Sequence, residues 1–159
     1  MKFVIDTNVT IVANGQSSHA TPQCQYACIS FLEDIVSPGS RMKIALDAHG
    51  VILAEYKDHL SYSGQPGVGD IFFKYLHDSM YRQTKVLLTQ ITPICDEARG
   101  YTELPANVVD KSDRKFLAVA VKSKSQIANA VDTDWHEQRA FIKSLNVRVR
   151  QLCPAQAAD

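Results

Sequence analysis

Short apolar runs and longer helical periodicities alternate along the chain. Phe3, Val4 and Ile5 form a run of β-formers too short for a helix core, which predicts a buried strand ending at Asp6. Thr10 to Ser18 reads as a short helix or a loop. Thr21-Pro22 has the form of an N-cap followed by proline at the first helical position. Cys24, Ala27, Cys28, Phe31, Leu32 and Ile35 then recur at helical spacing until Pro38-Gly39 stops them. Met42 to Leu46 predicts a second strand, with Asp47 as its end and as the cap of the next helix. That helix carries Val51, Ile52, Leu53, Tyr56 and Leu60, with Glu55 among them. Ser61 to Gly69 is glycine-rich but lacks the Gly-Lys-Ser/Thr ending of a phosphate cradle, so a plain loop is expected.

Asp70 is expected to cap a helix through Ile71, Phe72, Tyr75, Leu76 and Met80. Val86 to Ile91 predicts a strand, and Pro93 to Asn107 a long irregular connection. Lys111 to Val121 predicts a helix, with Phe116, Leu117 and Ala120 inward and Asp113 in its first turn. Ile127 to Val131 predicts another buried strand, followed at once by Asp132-Thr133-Asp134-Trp135. Phe141, Ile142 and Leu145 pattern a further helix that Asn146 ends. Val147, Val149 and Leu152 alternate as a last strand before Pro154. This alternation calls for an α/β fold: a single three-layer domain with a mostly parallel central sheet flanked by helices. The domain is expected over residues 1–154, with a flexible C-terminal tail over 155–159, and no internal repeat or linker interrupts it.

At 159 residues the chain is long enough for one domain with a real core. No apolar run approaches ~18 residues, so no membrane-spanning helix is expected, and the N-terminus lacks the pattern of a signal peptide. A cytoplasmic location follows as the expectation. Cys24, Cys28, Cys95 and Cys153 fit it as free, buried thiols. Cys24 and Cys28 share a helix face, but no second close pair completes a zinc site. The net charge is +0, which argues against a protein that coats nucleic acid nonspecifically. Nine of the 17 Lys and Arg nonetheless fall between Lys111 and Arg150, against four acids there. Lys111, Arg114, Lys115, Arg139, Lys143, Arg148 and Arg150 are therefore candidates for holding a phosphate backbone. A solvated helix face explains the same residues equally well.

The acids fall in a more telling pattern. Asp6 ends the first strand, Glu55 sits on the helix after the second, Asp113 opens a helix, and Asp132 and Asp134 follow a late strand. Strand ends lie on the rim where open α/β sheets bind ligands, and a helix N-terminus beside them favours anions. Converging carboxylates raise one another's pKa unless a cation sits among them. An oxygen-only set suits Mg²⁺ or Mn²⁺, whereas zinc favours His or Cys. Taken singly, each acid has an ordinary explanation: Asp6, Asp132 or Asp134 as an N-cap, Asp113 as a first-turn acid, Glu55 as a solvated helix residue. Trp135 by itself reads as packing rather than a stacking platform. Function rests on the set.

That set resembles the PIN-domain nucleases along nearly the whole chain. Val4-Ile5-Asp6-Thr7-Asn8 is similar to the family's first motif, implying Asp6 as a metal ligand and Asn8 as a supporting polar group. Ile52-Leu53-Ala54-Glu55-Tyr56 is similar to the helix that carries the next acid, implying Glu55. Asp110 to Ala120 resembles the third motif, implying Asp113, with Asp110 as the alternative. Ala130-Val131-Asp132-Thr133-Asp134-Trp135 resembles the ending in which two acids and an aromatic follow the fourth strand, implying Asp132 first and Asp134 second. Many relatives have Thr or Ser where Ala130 stands. Val147-Arg148-Val149-Arg150 and Pro154 resemble the family's last strand and proline.

The resemblance implies a PIN-like fold and a Mg²⁺- or Mn²⁺-dependent endoribonuclease that cleaves single-stranded RNA, in the style of toxin–antitoxin toxins or defence effectors. Asp6, Glu55, Asp113 and Asp132 would be the metal ligands, with Asp134 and Asn8 in support. The implied partners are RNA, single-stranded or structured, with DNA as the alternative; an antitoxin or other regulatory protein; and a second copy of the chain. No membrane partner is expected. Two other readings compete. A non-catalytic PIN-like binding module would keep the acids as caps. A haloacid-dehalogenase-like phosphatase also starts with a strand and an Asp, but needs a second Asp where Asn8 stands.

Overall fold

Phe3, Val4 and Ile5 are fully buried, as a strand covered on both faces requires, and they form the middle strand of the sheet. The computed structural model describes residues 1–153 and has five parallel strands in the order β3-β2-β1-β4-β5. They are β1 (Lys2–Ile5), β2 (Lys43–Asp47), β3 (Val86–Thr89), β4 (Gln126–Asn129) and β5 (Val149–Gln151). Register pairs Phe3 with Ile44 on one side and with Gln126 on the other. The described helices are α1 (Thr7–Ala13), α2 (Pro22–Val36), α3 (Val51–Lys57), α4 (Val68–Ser79), α5 (Arg114–Ser123), α6 (Asp134–Glu137) and α7 (Arg139–Ser144). Helix α5 lies against β1 to β4, while α1, α2 and α4 pack on one another, giving the expected three-layer α/β domain. The chain builds outward from β1 through β2 and β3, then returns to lay down β4 and β5 on the other side. The order therefore reverses between β1 and β4, and the crevice beyond their carboxyl ends is where such sheets bind ligands.

Most predicted elements stand, with informative changes of boundary. Helix α1 begins directly after β1, because the Asp6 carboxylate accepts from the Asn8 backbone N–H and caps it. Thr21 caps α2 as expected. The N-cap residue of α3 is Gly50 rather than Asp47, but the Asp47 carboxylate satisfies the first turn, each oxygen accepting from a backbone N–H, Val51 and Ile52, at 2.8 Å. Asp70 is not the cap of α4 but lies inside its first turn. Its carboxylate reaches back to the N–H groups of Gly67 and Ser61 and to the Asn14 amide, closing the glycine-rich loop. Strand β3 ends at Thr89 rather than Ile91, and β4 at Asn129 rather than Val131. The second change has a clear cause: the Asn8 side-chain oxygen takes the N–H groups of Ala130 and Val131 out of the ladder.

The cysteines differ from expectation. Cys24 on α2 and Cys153 after β5 form a disulfide, Cys28 is a buried thiol, and Cys95 is exposed. The cysteines as a group thus no longer argue for a reducing compartment. Among the described residues no helix is long and apolar enough to cross a membrane. Pro154 and the expected tail over 155–159 lie outside the described residues.

Candidate metal centre

Three acids from separate stretches converge at the point where the strand order reverses. Asp6 follows β1, Asp113 immediately precedes α5, and Asp132 lies three residues past β4. One carboxylate oxygen from each lies within 4.8 Å of the other two. Asp6 and Asp113 keep only 6% and 8% of their surface, and Asp132 is half-buried. Burial pushes Asp6 up from the ordinary 3.8 to about 6, against the hydrogen bonds from Trp135 and Asn8 that hold it down. Burial first, then the charges of Asp6 and Asp132, push Asp113 up to about 8. Asp132 is raised too, mainly by burial. Negative charge is thus crowded here without a compensating cation among the three groups.

Each carboxylate is aimed by different means. Asp6 Oδ1 accepts from the Asn8 backbone N–H at 3.1 Å, and Asp6 Oδ2 from the Trp135 indole N–H at 2.6 Å. The Trp135 ring is 1% exposed, so this donor is fixed by packing. Asp132 Oδ1 accepts from the Asp134 N–H at 2.9 Å, which turns the loop and leaves Asp134 outside the cluster as the first residue of α6. Asp110 is occupied elsewhere: its Oδ1 accepts from the Ser112 N–H and hydroxyl, which hold its carboxyl below the usual range. Asp113, the acid implied first, is the one in the cluster. No hydrogen bond reaches the Asp113 carboxylate among the described residues.

Glu55 stands apart from the three. Its Oε1 pairs with Lys115 Nζ at 2.8 Å, and its Oε2 accepts from the Thr7 hydroxyl. Lys115 also donates to the Ser112 carbonyl, and its side chain is only 10% exposed. Lys115 and Arg114 were candidates for holding phosphate, and the structure corrects both. Arg114 is 7% exposed and donates to Asn107, Val109 and the Glu97 carbonyl, pinning the irregular connection before α5. Lys111, Arg139, Lys143, Arg148 and Arg150 remain on the surface. Arg139, Lys143 and Arg148 line a groove of about 840 Å³ whose wall includes Trp135.

Asn8 lies beside the cluster, and a second asparagine that the sequence reading missed is bonded to it. Asn129 is fully buried; its Oδ1 accepts from Asn8 Nδ2 at 2.9 Å. Asn129 Nδ2 donates to the Asp132 carbonyl at 2.8 Å and to Gln151 Oε1 at 2.7 Å. The two asparagines therefore lock the loop of Asp6 to the loop of Asp132. A polar residue in the otherwise apolar run Ile127 to Val131 was the available signal. The Trp135 donor had none, because contact across 129 positions is not readable from spacing. Comparison with models of protein families, with curated proteins and with solved structures gives no match in any of the three.

Proposed function

We propose that the protein is a Mg²⁺- or Mn²⁺-dependent endoribonuclease of PIN-like type that cleaves single-stranded RNA, acting as a toxin or defence effector under the control of a partner protein. One observation carries this reading: the oxygens of Asp6, Asp113 and Asp132 within 4.8 Å of one another at the crevice between β1 and β4. The donor set is all oxygen, its charge is uncompensated, and a hard divalent cation fits both facts. Asp6, Asp113 and Asp132 would hold it. Bound there, it would polarise a phosphodiester and acidify a water molecule.

The chain's own residues account for the remaining requirements. Trp135 and Asn8 keep Asp6 in one orientation, and Asn129 keeps the Asp132 loop against it. The cationic groove of Arg139, Lys143 and Arg148 shares Trp135 with the centre and suits the flanking phosphates of a polyanion. A haloacid-dehalogenase-like route lacks support, because the Asn8 side chain is spent on Asn129, Ala130 and Val131 and its amide cannot serve as a general acid or base.

The test is cleavage of labelled single-stranded RNA by purified protein with Mn²⁺. Asp6→Asn and Asp113→Asn are each expected to remove nearly all cleavage, and the double variant little more, because ligands acting as a unit are not additive. Retention of most metal-dependent cleavage in Asp6→Asn, free of contaminating nuclease, would overturn the mechanism. Phosphate release from small esters would point to the phosphatase, and binding without either reaction to the non-catalytic module.

A further inference from the structure

The acid cluster has a cation for a neighbour, and that cation is committed to Glu55. Lys115 Nζ lies 2.8 Å from Glu55 Oε1, and the two side chains keep only 10% and 27% of their surface. Both ends of the pair are tied to residues adjacent to the clustered acids. Glu55 Oε2 takes the hydroxyl of Thr7, the residue after Asp6. Lys115 also takes the carbonyl of Ser112, the residue before Asp113, and lies 4.9 Å from the centroid of the Phe116 ring.

We propose that Lys115 makes Glu55 a positioning residue rather than a metal ligand, so that the centre takes one divalent cation per chain. The inference rests on the metal-centre reading above and adds its stoichiometry. For Glu55 to turn and ligate, it would have to leave the buried Lys115 ammonium without a counter-ion, held only by the Ser112 carbonyl and the Phe116 ring, which is unfavourable. Paired centres of catalytic ions hold them about 3.5–4 Å apart. A second divalent ion on Glu55 would enter beside the ammonium, where like charges at short range repel steeply. The charges agree. Asp6, Asp113 and Asp132 have no cation paired with them among the described residues, whereas Glu55 and Lys115 pair with each other. The pair instead braces Thr7 against Ser112, and so holds Asp6 and Asp113 at their spacing.

Counting Mn²⁺ on metal-stripped, full-length protein by calorimetry and electron paramagnetic resonance tests this. Wild type is expected to take one Mn²⁺. The double variant Glu55→Gln/Lys115→Met removes the pair without changing net charge, and should still take one Mn²⁺, about tenfold more weakly because the brace is lost. Lys115→Met alone frees the Glu55 carboxylate, so Mn²⁺ should bind about tenfold more tightly or a second ion should enter. Asp113→Asn should lose binding. Should Lys115→Met fail to fold, as circular dichroism would show, the double variant decides alone. Two ions in wild type, or loss of Mn²⁺ by the double variant to the extent seen in Asp113→Asn, overturns the role given to Lys115 and leaves the metal centre standing. Absence of any Mn²⁺ on wild type overturns the metal centre itself, and with it this inference.

Discussion

Replacing Asp113 with Asn should stabilise the metal-free protein above neutral pH, and the gain should vanish as the pH falls. In the folded chain Asp113 holds its proton up to about 8, whereas the unfolded group releases it near the ordinary 3.8. The folded state therefore binds more protons between those values. Its stability is full below the unfolded value and is lost as pH rises toward 8, at about 1.4 kcal/mol per pH unit for one proton. Integrated over the whole window, the ceiling is about 6 kcal/mol. The variant recovers only part of it. Its buried amide has no partner in place of water, which costs about 1–3 kcal/mol. A net gain of at most about 3–5 kcal/mol at pH 9 is expected, or about 2–4 °C in Tm per kcal/mol for a chain of this size. Urea unfolding of chelated wild type and variant from pH 5 to pH 9 measures both gain and slope. The decisive quantity is the slope: wild type should lose stability with rising pH by about one proton more than Asp113→Asn. Equal slopes in the two proteins would refute the raised proton affinity that burial and the neighbouring acids give Asp113.

Three further perturbations probe the acid cluster, the groove and the disulfide. Mn²⁺ or Mg²⁺ must displace the Asp113 proton, so apparent affinity should rise about tenfold per pH unit from 6 to 8; Trp135, the one tryptophan of the chain and the donor to Asp6, should report Mg²⁺ binding by fluorescence, and a pH-independent affinity would count against proton displacement. Lys143→Glu with Arg148→Glu should weaken RNA binding and flatten its salt dependence with the fold intact, because both side chains are exposed at the groove; an unchanged slope in log affinity against log salt would remove the groove from the substrate path. Cys24→Ser should lower stability by about 2–5 kcal/mol, since the Cys24–Cys153 bond spans a separation of 129 residues; an unfolding midpoint equal to wild type under oxidising conditions would deny the bond a structural role.

What could be read from the sequence divides along a physical line. Central strands and the buried face of α2 were legible because covering a strand on both faces, or a helix on one, leaves a local apolar pattern. Boundaries set by a distant side chain were not. Strand β4 ends two residues early because Asn8, 121 and more positions away, takes two of its N–H groups. Arg114 and Lys115 carry the same charge as Arg148, yet both are buried, one pinning a loop and the other neutralising Glu55. Charge alone could not tell them apart, because the distinction lies in which partners the fold brings near. The disulfide between Cys24 and Cys153 was hidden for the same reason.

Asp6 and Asp47 show how far a local reading reaches. Both follow or end a parallel strand at the same rim, both accept from the first turn of the helix that comes next, and an N-cap explains either of them from sequence. Asp47 spends both oxygens on successive N–H groups of α3, which leaves its carboxylate satisfied and turned to its own helix. Asp6 gives one oxygen to its helix and the other to the Trp135 indole, a donor from the far side of the crevice. That second bond turns Asp6 toward β4 and into reach of Asp113 and Asp132. Burial, and after it the charges of Asp132 and Glu55, raise the proton affinity that the two hydrogen bonds lower. A capping role is therefore compatible with the ligand role proposed for Asp6. What separates Asp47 from the clustered Asp6 is the origin of its second hydrogen-bond donor.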